Sequence, residues 1–174
     1  MAEKNFEQDS RIIVIGGEID ENLHNKVIES VSQLEYVSNE PIYMHINSFG
    51  GDVYSMLGII DVMRMAKSKI ITVCTGKAMS AAVPILAAGF KGERKIGKYA
   101  TVMLHEVGSG SWGKLYEIKN DVKETERVQN VYIEILAEHT KQPISKLRNI
   151  FETHKDTYLS AKQSLELKII DKII

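Results

Sequence analysis

The sequence predicts an α/β domain whose sheet is largely parallel and covered by helices on both faces. Short apolar runs rich in β-branched residues alternate with segments of helical periodicity, in the order strand, helix, strand, helix, strand, helix, strand. Elements that alternate in this way are joined by right-handed crossovers, which make neighbouring strands parallel. Because the loops that follow parallel strands meet at one edge of the sheet, we expect a functional site there.

Composition limits the class of protein. At 174 residues the chain can bury a core of its own, and we divide it into a flexible polar lead, 1–10, and a single domain, 11–174. A net charge of −1 provides no basic surface for nucleic acid or anionic membranes. We find no apolar leader and no run of membrane-spanning length, so we expect a cytoplasmic protein. The single cysteine, Cys74, lies in an apolar strand and is expected to be a buried, inert thiol.

The elements follow from periodicity and from capping residues. Strands are predicted where β-branched residues cluster, at 11–15, 42–46, 70–73 and 101–104, with a short final strand at 169–170. Helices are predicted at 21–36, 53–66, 80–88, 113–139, 145–152 and 161–167. Asp20 and Ser160 stand where they can cap the helices that follow them.

The segment 113–139 is long for a domain of this size. About 27 helical residues extend about 40 Å, whereas a compact domain of this size is about 30 Å across. An apolar stripe runs along the helix, so its protruding part needs a partner. Since a second copy of the chain is the simplest partner, we expect a homo-oligomer.

Ser80 is the strongest candidate for a nucleophile. It follows the apolar strand 70–73 and a turn at Gly76, and it stands at the start of a helix, where developing negative charge is favoured. Considered alone, Ser80 is better explained as a helix N-cap than as a nucleophile, because serine caps are common. The pair Gly50-Gly51 follows the preceding strand, and its backbone N–H groups could bind an oxyanion, or the pair could form a plain turn.

A nucleophilic serine needs a base, and position selects one histidine of five. His24 and His139 are expected at the surface, His45 lies along a strand, and His154 lies in a charged loop. His105 directly follows the strand 101–104, so a Ser80–His105 dyad is the arrangement that topology favours.

Spacing does not select the acid that would orient His105. The candidates are Asp20, Asp52, Asp61, Glu106, Asp121 and Asp156. No histidine–carboxylate cluster has the spacing of a zinc site, and the G-x-S-x-G motif of α/β-hydrolases is absent.

Several short motifs occur in a fixed order over nearly the whole chain, from about residue 11 to 171. They read R-I-I-V-I-G-G-E-I-D, I-N-S-F-G-G, G-K-A-M-S-A-A, V-M-L-H, H-T-K-Q-P and D-T-Y-L-S-A. The ordered set resembles the Clp protease proteolytic subunit, a serine peptidase with a crotonase-like α/β fold. The resemblance implies hydrolysis of peptide bonds in unfolded proteins or peptides, with no cofactor and no metal.

The resemblance also implies residue roles. Ser80 would be the nucleophile, His105 the general base and Asp156 the acid that orients it, while the backbone N–H groups of Gly51 and Ala81 would form the oxyanion hole. The helix 113–139 would be the family's handle, which joins two stacked heptameric rings around a chamber. The family works with a Clp-type ATPase, but only ten residues precede the first strand here, fewer than the family's axial pore segment, which weighs against that partner.

The chain departs from the family pattern around the expected site. The departures are Phe49, Ala82, Glu106, Val107, His154 and Lys155. Other functions compatible with the fold are a stand-alone processing peptidase of the phage head-maturation type, a signal-peptide peptidase relative, a non-catalytic ring subunit and an acyl-CoA enzyme. The last two do not require Ser80, His105 and Asp156 to occur together.

Overall fold

The computed structural model describes residues 11–174, so the predicted lead, 1–10, lies outside the described residues. The first half of the fold consists of β1 (Ile12–Ile19), α1 (Glu21–Val37), β2 (Ile42–Gly51), α2 (Val53–Met65), β3 (Ile70–Met79) and α3 (Ala82–Ala87). The second half consists of β4 (Lys95–Ile96), β5 (Thr101–Leu104), α4 (Leu115–Thr140), α5 (Ile144–Phe151), β6 (Thr157–Ser160), α6 (Ala161–Glu166) and β7 (Lys172–Ile173).

The sheet confirms the predicted α/β class with mostly parallel pairing. Its main path runs β1-β2-β3-β4-β7, with every neighbouring pair parallel. The end of β3 also pairs with β5 in parallel, and β5 pairs with β6 in antiparallel orientation. β3 is therefore the central strand, and its carboxyl end lies beside β2 on one side and β5 on the other.

The first three strands extend further than the sequence predicted, because glycines bend them rather than end them. β1 continues through Gly17, β2 through Gly50 and β3 through Gly76, all with positive φ. The register shifts next to Gly17 and again beyond Ile46, where the strands bend. The short strands β4 and β6 were not predicted, and the final strand lies at Lys172–Ile173 instead of 169–170.

The core lies between the sheet and its helices. Along β2 the buried residues alternate, whereas Ile70 to Cys74 of β3 and all of α3 are buried. Burial raises the pKa of the Cys74 thiol to about 12, which confirms the expected buried thiol. Within residues 11–174, no helix is both long and apolar enough to cross a membrane.

A buried ion pair fixes the last strand. Arg94 is 2 % exposed, and its Nε and Nη2 donate to the two carboxylate oxygens of Asp171 at 2.8 and 2.7 Å. The Arg94 carbonyl accepts from the N–H groups of Asp171 and Lys172. Because Nη1 of Arg94 also donates to the carbonyls of Ala87 and His139, this one guanidinium links β7 to α3 and α4.

Candidate active site

Ser80 occupies a strained position between β3 and α3. Its φ is +52°, in the left-handed region, which costs a residue with a Cβ about 1–2 kcal/mol. The N-cap position of α3 is Ala81, where no side chain caps the helix, so the N-cap interpretation of Ser80 is wrong. Strained residues of this kind cluster at functional sites. The conformation of Ser80 therefore needs another explanation than helix capping.

Three contacts hold the Ser80 backbone in this conformation. Its N–H donates to the carbonyl of Met103 in β5 at 2.9 Å, and its carbonyl accepts from the Val83 N–H at 3.0 Å. The Tyr132 hydroxyl in α4 donates to the same carbonyl at 3.0 Å. Burial raises the pKa of Tyr132, so its phenol stays protonated as a donor, and its ring packs edge-on against Phe151 at 5.4 Å.

The end of β2 passes directly against Ser80. A Cβ on Gly50 would lie 2.7 Å from both the Ser80 Cβ and the Met79 carbonyl oxygen. Gly50 has a φ of +101°, and the Ser48 hydroxyl accepts its N–H at 3.0 Å. A Cβ on the next residue, Gly51, would meet the Ile19 carbonyl oxygen at 2.3 Å. Both positions therefore require glycine, and the peptide that joins them borders the serine.

The two N–H groups assigned to an oxyanion hole lie at this contact. The N–H of Gly51 belongs to the peptide unit that leaves Gly50, the residue packed on Ser80. The Cβ position of Gly50 is 3.0 Å from the nitrogen of Ala81. Among residues 11–174, no acceptor takes the Ala81 N–H. The free Ala81 N–H and the peptide that leaves Gly50 thus both lie close to the serine.

Strand pairing places His105 and Asp156 at the same edge. The parallel strands β3 and β5 pair as far as Met79 and Met103. Ser80 directly follows β3 and His105 directly follows β5, so both lie at the carboxyl ends of these strands. Between β5 and β6, Leu104 pairs with Thr157 in antiparallel register. Continuing that register by one residue sets His105 opposite Asp156. The end of β5 therefore lies between the serine and the aspartate.

The structure does not join these three side chains to one another. Within the described part of the chain, no hydrogen bond links Ser80 Oγ, the His105 ring and the Asp156 carboxylate. Ser80 and His105 are half-buried, and Asp156 is exposed. The segments that carry His105 and Asp156 are connected instead by two nearby residues, since His154 Nδ1 lies 3.0 Å from the Glu106 carboxylate.

Two of the other acid candidates have structural roles. Asp20 accepts from the Leu23 N–H at 2.8 Å and caps α1, and Asp52 accepts from the Ser55 N–H at 2.7 Å and caps α2. Asp121 accepts the Ser111 hydroxyl at 2.5 Å. The sequence left all three open as partners of His105, and their contacts in the structure are with other groups.

The prediction that His24 and His139 are surface residues is wrong. The imidazole of His24 packs against α2, where a Cβ on Gly58 would be 2.4 Å from its Nε2. His139 is half-buried, and its Nε2 has no hydrogen-bond partner among the described residues. Burial lowers the pKa of His139, so the neutral ring is favoured.

Residues 11–174 contain no group of three or more histidine, cysteine, aspartate or glutamate side chains placed to hold a metal ion. The residues predicted for the site are a serine, a histidine and an aspartate, and beside the serine the Ala81 N–H has no acceptor among the described residues. These are the residue types with which nucleophilic hydrolases cleave acyl bonds.

Comparison with known families identifies the chain's relatives. The model of the family described as Clp protease matches residues 4–174. Since this match covers almost the entire sequence, the chain belongs to the Clp protease family, and the resemblance drawn from its motifs is confirmed. Membership in this family supports a peptidase, a hydrolase of peptide bonds.

Two contributors to the site were missed at the level of sequence. Gly50 was considered only as a member of a pair, and nothing local to it indicates that its Cα touches Ser80. Tyr132 belongs to the apolar stripe of α4, and its hydroxyl contact with residue 80 spans 52 positions. A tyrosine in an otherwise aliphatic buried stripe is the one available signal, because a buried phenol needs a hydrogen-bond partner.

Proposed function

We propose that this protein is a serine endopeptidase that cleaves unfolded proteins or peptides by a Ser80–His105–Asp156 triad inside an oligomeric chamber. The observation that carries the proposal is the left-handed conformation of Ser80, held against the Gly50 backbone at the end of the central strand. A strained serine beside the free N–H of Ala81 matches the needs of a nucleophile and has no evident structural purpose.

In the proposed reaction, Ser80 Oγ attacks the carbonyl carbon of the scissile peptide bond while His105 takes its proton. Asp156 orients the imidazole and stabilises its charged form. His105 then gives the proton to the leaving amine, which departs as the carbon–nitrogen bond breaks. Water, activated by the same histidine, attacks the acyl-enzyme and releases the carboxylic acid and free Ser80.

The negative charge that forms on the carbonyl oxygen would be held by the backbone N–H groups of Gly51 and Ala81. Removing one such donor from an oxyanion hole costs about 3–4 kcal/mol in related chemistry. The close contact of Gly50 with Ser80 supports this role, since a side chain at that position would push the donor peptide away. The free Ala81 N–H supports the second donor.

Catalysis by this triad requires His105 and Asp156 to come within hydrogen-bond distance, about 2.6–3.2 Å. Their positions on facing strand ends favour this, because they are the next pair after Leu104 and Thr157, the last pair of the β5–β6 ladder. Catalytic hydrogen bonds are often long before substrate binds and shorten in the complex. We therefore expect substrate binding or subunit assembly to bring the two side chains together.

The proposed chamber is supported by the surface of α4 and the segment before it. Exposed apolar side chains concentrate there, namely Trp112, Leu115, Tyr116 and Val122. The buried residues of the same helix begin only at Val128. An apolar surface that extends beyond the core is typical of an interface between subunits, and a homo-oligomeric ring follows from the family resemblance.

A second candidate is a ring subunit without peptidase activity. It is favoured by one observation, that Asp156 is exposed and the His105 ring makes no hydrogen bond with the described residues. In that case the strain at Ser80 would have no catalytic use.

Labelling with a fluorophosphonate probe separates the two candidates. The triad predicts covalent labelling at Ser80, found by mass spectrometry, and hydrolysis of a fluorogenic peptide by the same sample. Ser80→Ala should abolish both, and His105→Ala and Asp156→Asn should each lower kcat by about 10⁴-fold or more. A wild-type protein that is neither labelled at Ser80 nor hydrolytic under conditions where it is oligomeric would support the non-catalytic subunit.

A further inference from the structure

Two charged side chains lie immediately beside His105 and Asp156. Glu106 follows His105 directly, and His154 precedes Asp156 by two positions. The Nδ1 of His154 is 3.0 Å from each carboxylate oxygen of Glu106, although the residues are 48 positions apart. This contact therefore joins the two segments that carry the proposed base and the proposed acid.

The contact lies just beyond the end of a strand ladder. The β5–β6 pairing ends at Leu104 and Thr157, after which the two segments are no longer paired as strands. Because His105 and Asp156 come next, they depend on other contacts for their separation. The Glu106–His154 bridge is the first side-chain contact beyond them, so it limits how far the two segments can part.

Both ends of this bridge are held by the backbone around it. His154 has a φ of +53°, a left-handed conformation that is unfavourable for a residue with a Cβ, and its N–H donates to the Phe151 carbonyl at 3.1 Å. On the other side, the Val107 N–H donates to the side chain of Gln129 in α4 at 2.8 Å. The turn after α5 and the segment after β5 are thus each tied to a helix and to each other.

We propose that Glu106 and His154 are positioning residues, whose bridge holds His105 and Asp156 within reach of one another. This inference rests on the proposed function, since positioning matters only where the pair is catalytic. Small displacements of catalytic groups reduce rates strongly, so even an exposed bridge can affect turnover. The side chains of His154 and Glu106 are 74 % and 47 % exposed, so we expect an effect of only about two- to fivefold.

The bridge should depend on pH. The hydrogen bond with Glu106 is the main cause that raises the pKa of His154, with a further contribution from the negative charge of Glu106 and a smaller one from Glu152. Lys155 and Asp156 are the other charged groups next to it in the chain. Because the pKa of His154 is raised, the imidazole is fully charged and the bridge complete at pH values below the ordinary histidine pKa. The bridge is lost as the pH rises through the pKa of His154 in the folded protein. General-base catalysis instead improves with rising pH on the acid side, so the loss of the bridge should appear on the alkaline side.

The test measures kcat and KM for a fluorogenic peptide from pH 5 to 10 in Glu106→Gln, His154→Gln, the double variant and His154→Lys. The two glutamine variants should each lower kcat about two- to fivefold with little change in KM, and the double variant should be no worse than either. His154→Lys should keep wild-type kcat and extend it to higher pH, because lysine stays charged there. Lysine is suited to this backbone, since Lys141 and Lys168 adopt the same left-handed conformation.

The matched control is Glu93→Gln, which removes another exposed bridge, to Lys172 at 2.8 Å in β7, a strand that pairs with neither β5 nor β6. It should leave kcat unchanged. Three results would overturn the inference: unchanged kcat in both glutamine variants, losses that multiply in the double variant, or a decline of kcat at alkaline pH that His154→Lys does not shift. In each case an active wild type would still support the proposed function. A loss above a hundredfold in Glu106→Gln alone would also overturn it, because Glu106 would then act on His105 directly. A wild type that is inactive like Ser80→Ala would end both proposals.

Discussion

The backbone of Gly50 and the side chain of Ser80 are in direct contact, since a Cβ placed on Gly50 would stand 2.7 Å from the Cβ of Ser80. Gly50 lies near the end of β2, and Ser80 directly follows β3, the neighbouring parallel strand, whose pairing with β2 shifts register beyond Ile46. The contact explains why the end of β2 needs a glycine that has φ of +101°. It also places a specific requirement on the candidate site, which a single methyl group can test.

Gly50→Ala should abolish or strongly reduce labelling of Ser80, by about a hundredfold or more, because the methyl group would displace the donor peptide or the serine. The matched control is Gly92→Ala. Gly92 has a similar φ of +91° but open space around its Cβ position, so that variant carries the backbone strain alone. Rates of fluorophosphonate labelling, measured with thermal melting of both variants, distinguish the two effects. Equal labelling by wild type and Gly50→Ala would show that the contact is not needed for reactivity.

Tyr132→Phe tests whether the strained Ser80 conformation is held from α4. The change removes the hydroxyl that donates to the Ser80 carbonyl at 3.0 Å, but that carbonyl keeps the Val83 N–H. We therefore expect a loss of only about 1 kcal/mol in the free energy of unfolding, together with slower labelling of Ser80 by about three- to tenfold. Urea unfolding and labelling rates measure the two quantities. Tyr99→Phe, which alters a tyrosine that is 88 % exposed, should change neither.

Asp171→Asn tests the buried ion pair that anchors β7. Burial alone would raise the pKa of Asp171, but hydrogen bonds from Arg94 and from the Gly92 N–H lower it overall. The variant leaves the guanidinium of Arg94 buried without a counter-charge, so it should lose about 3 kcal/mol of stability at pH 7. A carboxylate whose pKa is lowered by folding stabilises the protein at pH values above its pKa in the unfolded chain. This stabilisation is lost as the pH falls through its pKa in the folded protein. The stability difference between the proteins should therefore shrink below about pH 4.

Thermal unfolding at a fixed protein concentration, between pH 3 and 8, measures this difference. Glu93→Gln is the control, because its partner Lys172 is exposed and the melting temperature should barely change. If Asp171→Asn melts within a degree or two of wild type at pH 7, the guanidinium must find another acceptor.

The sequence predicted the order of elements in the first half of the fold because each is marked locally. Asp20 caps α1 and Asp52 caps α2, and the apolar periodicity of both helices follows these caps. Strand ends were predicted less well, since a glycine with positive φ can bend a strand as easily as it ends one. Arg94 shows the limit most clearly. It lies in a segment that reads as a polar turn, yet it is buried because Asp171, 77 positions away, neutralises it.

The sequence predicted that Ser80 and His105 lie at one edge of the sheet, but it did not predict the contacts around them. Ser80 and His105 follow strands, which is why topology alone could place them at one edge. The acid was not selected by spacing, because β6 is a four-residue strand, Thr157–Ser160, whose antiparallel pairing with β5 has no local signal. The left-handed φ of Ser80 and the bridge between Glu106 and His154 arise from contacts distant in sequence, which no local pattern encodes.

Leu115→Ser tests the inferred subunit interface on α4. The helix spans Leu115–Thr140, close to the predicted 113–139, and its first half carries exposed apolar side chains, among which Leu115 is 69 % exposed. If this surface is covered by another copy of the chain, removing the leucine should shift the protein toward smaller species at a given concentration. Lys119→Ser, one turn further along the same helix, replaces an exposed residue of similar length and should leave assembly unchanged. Sedimentation velocity over a hundredfold range of concentration measures the shift, and peptide hydrolysis on the same samples shows whether activity follows assembly. A wild type that sediments as a monomer throughout would remove both the interface and the chamber from the proposal.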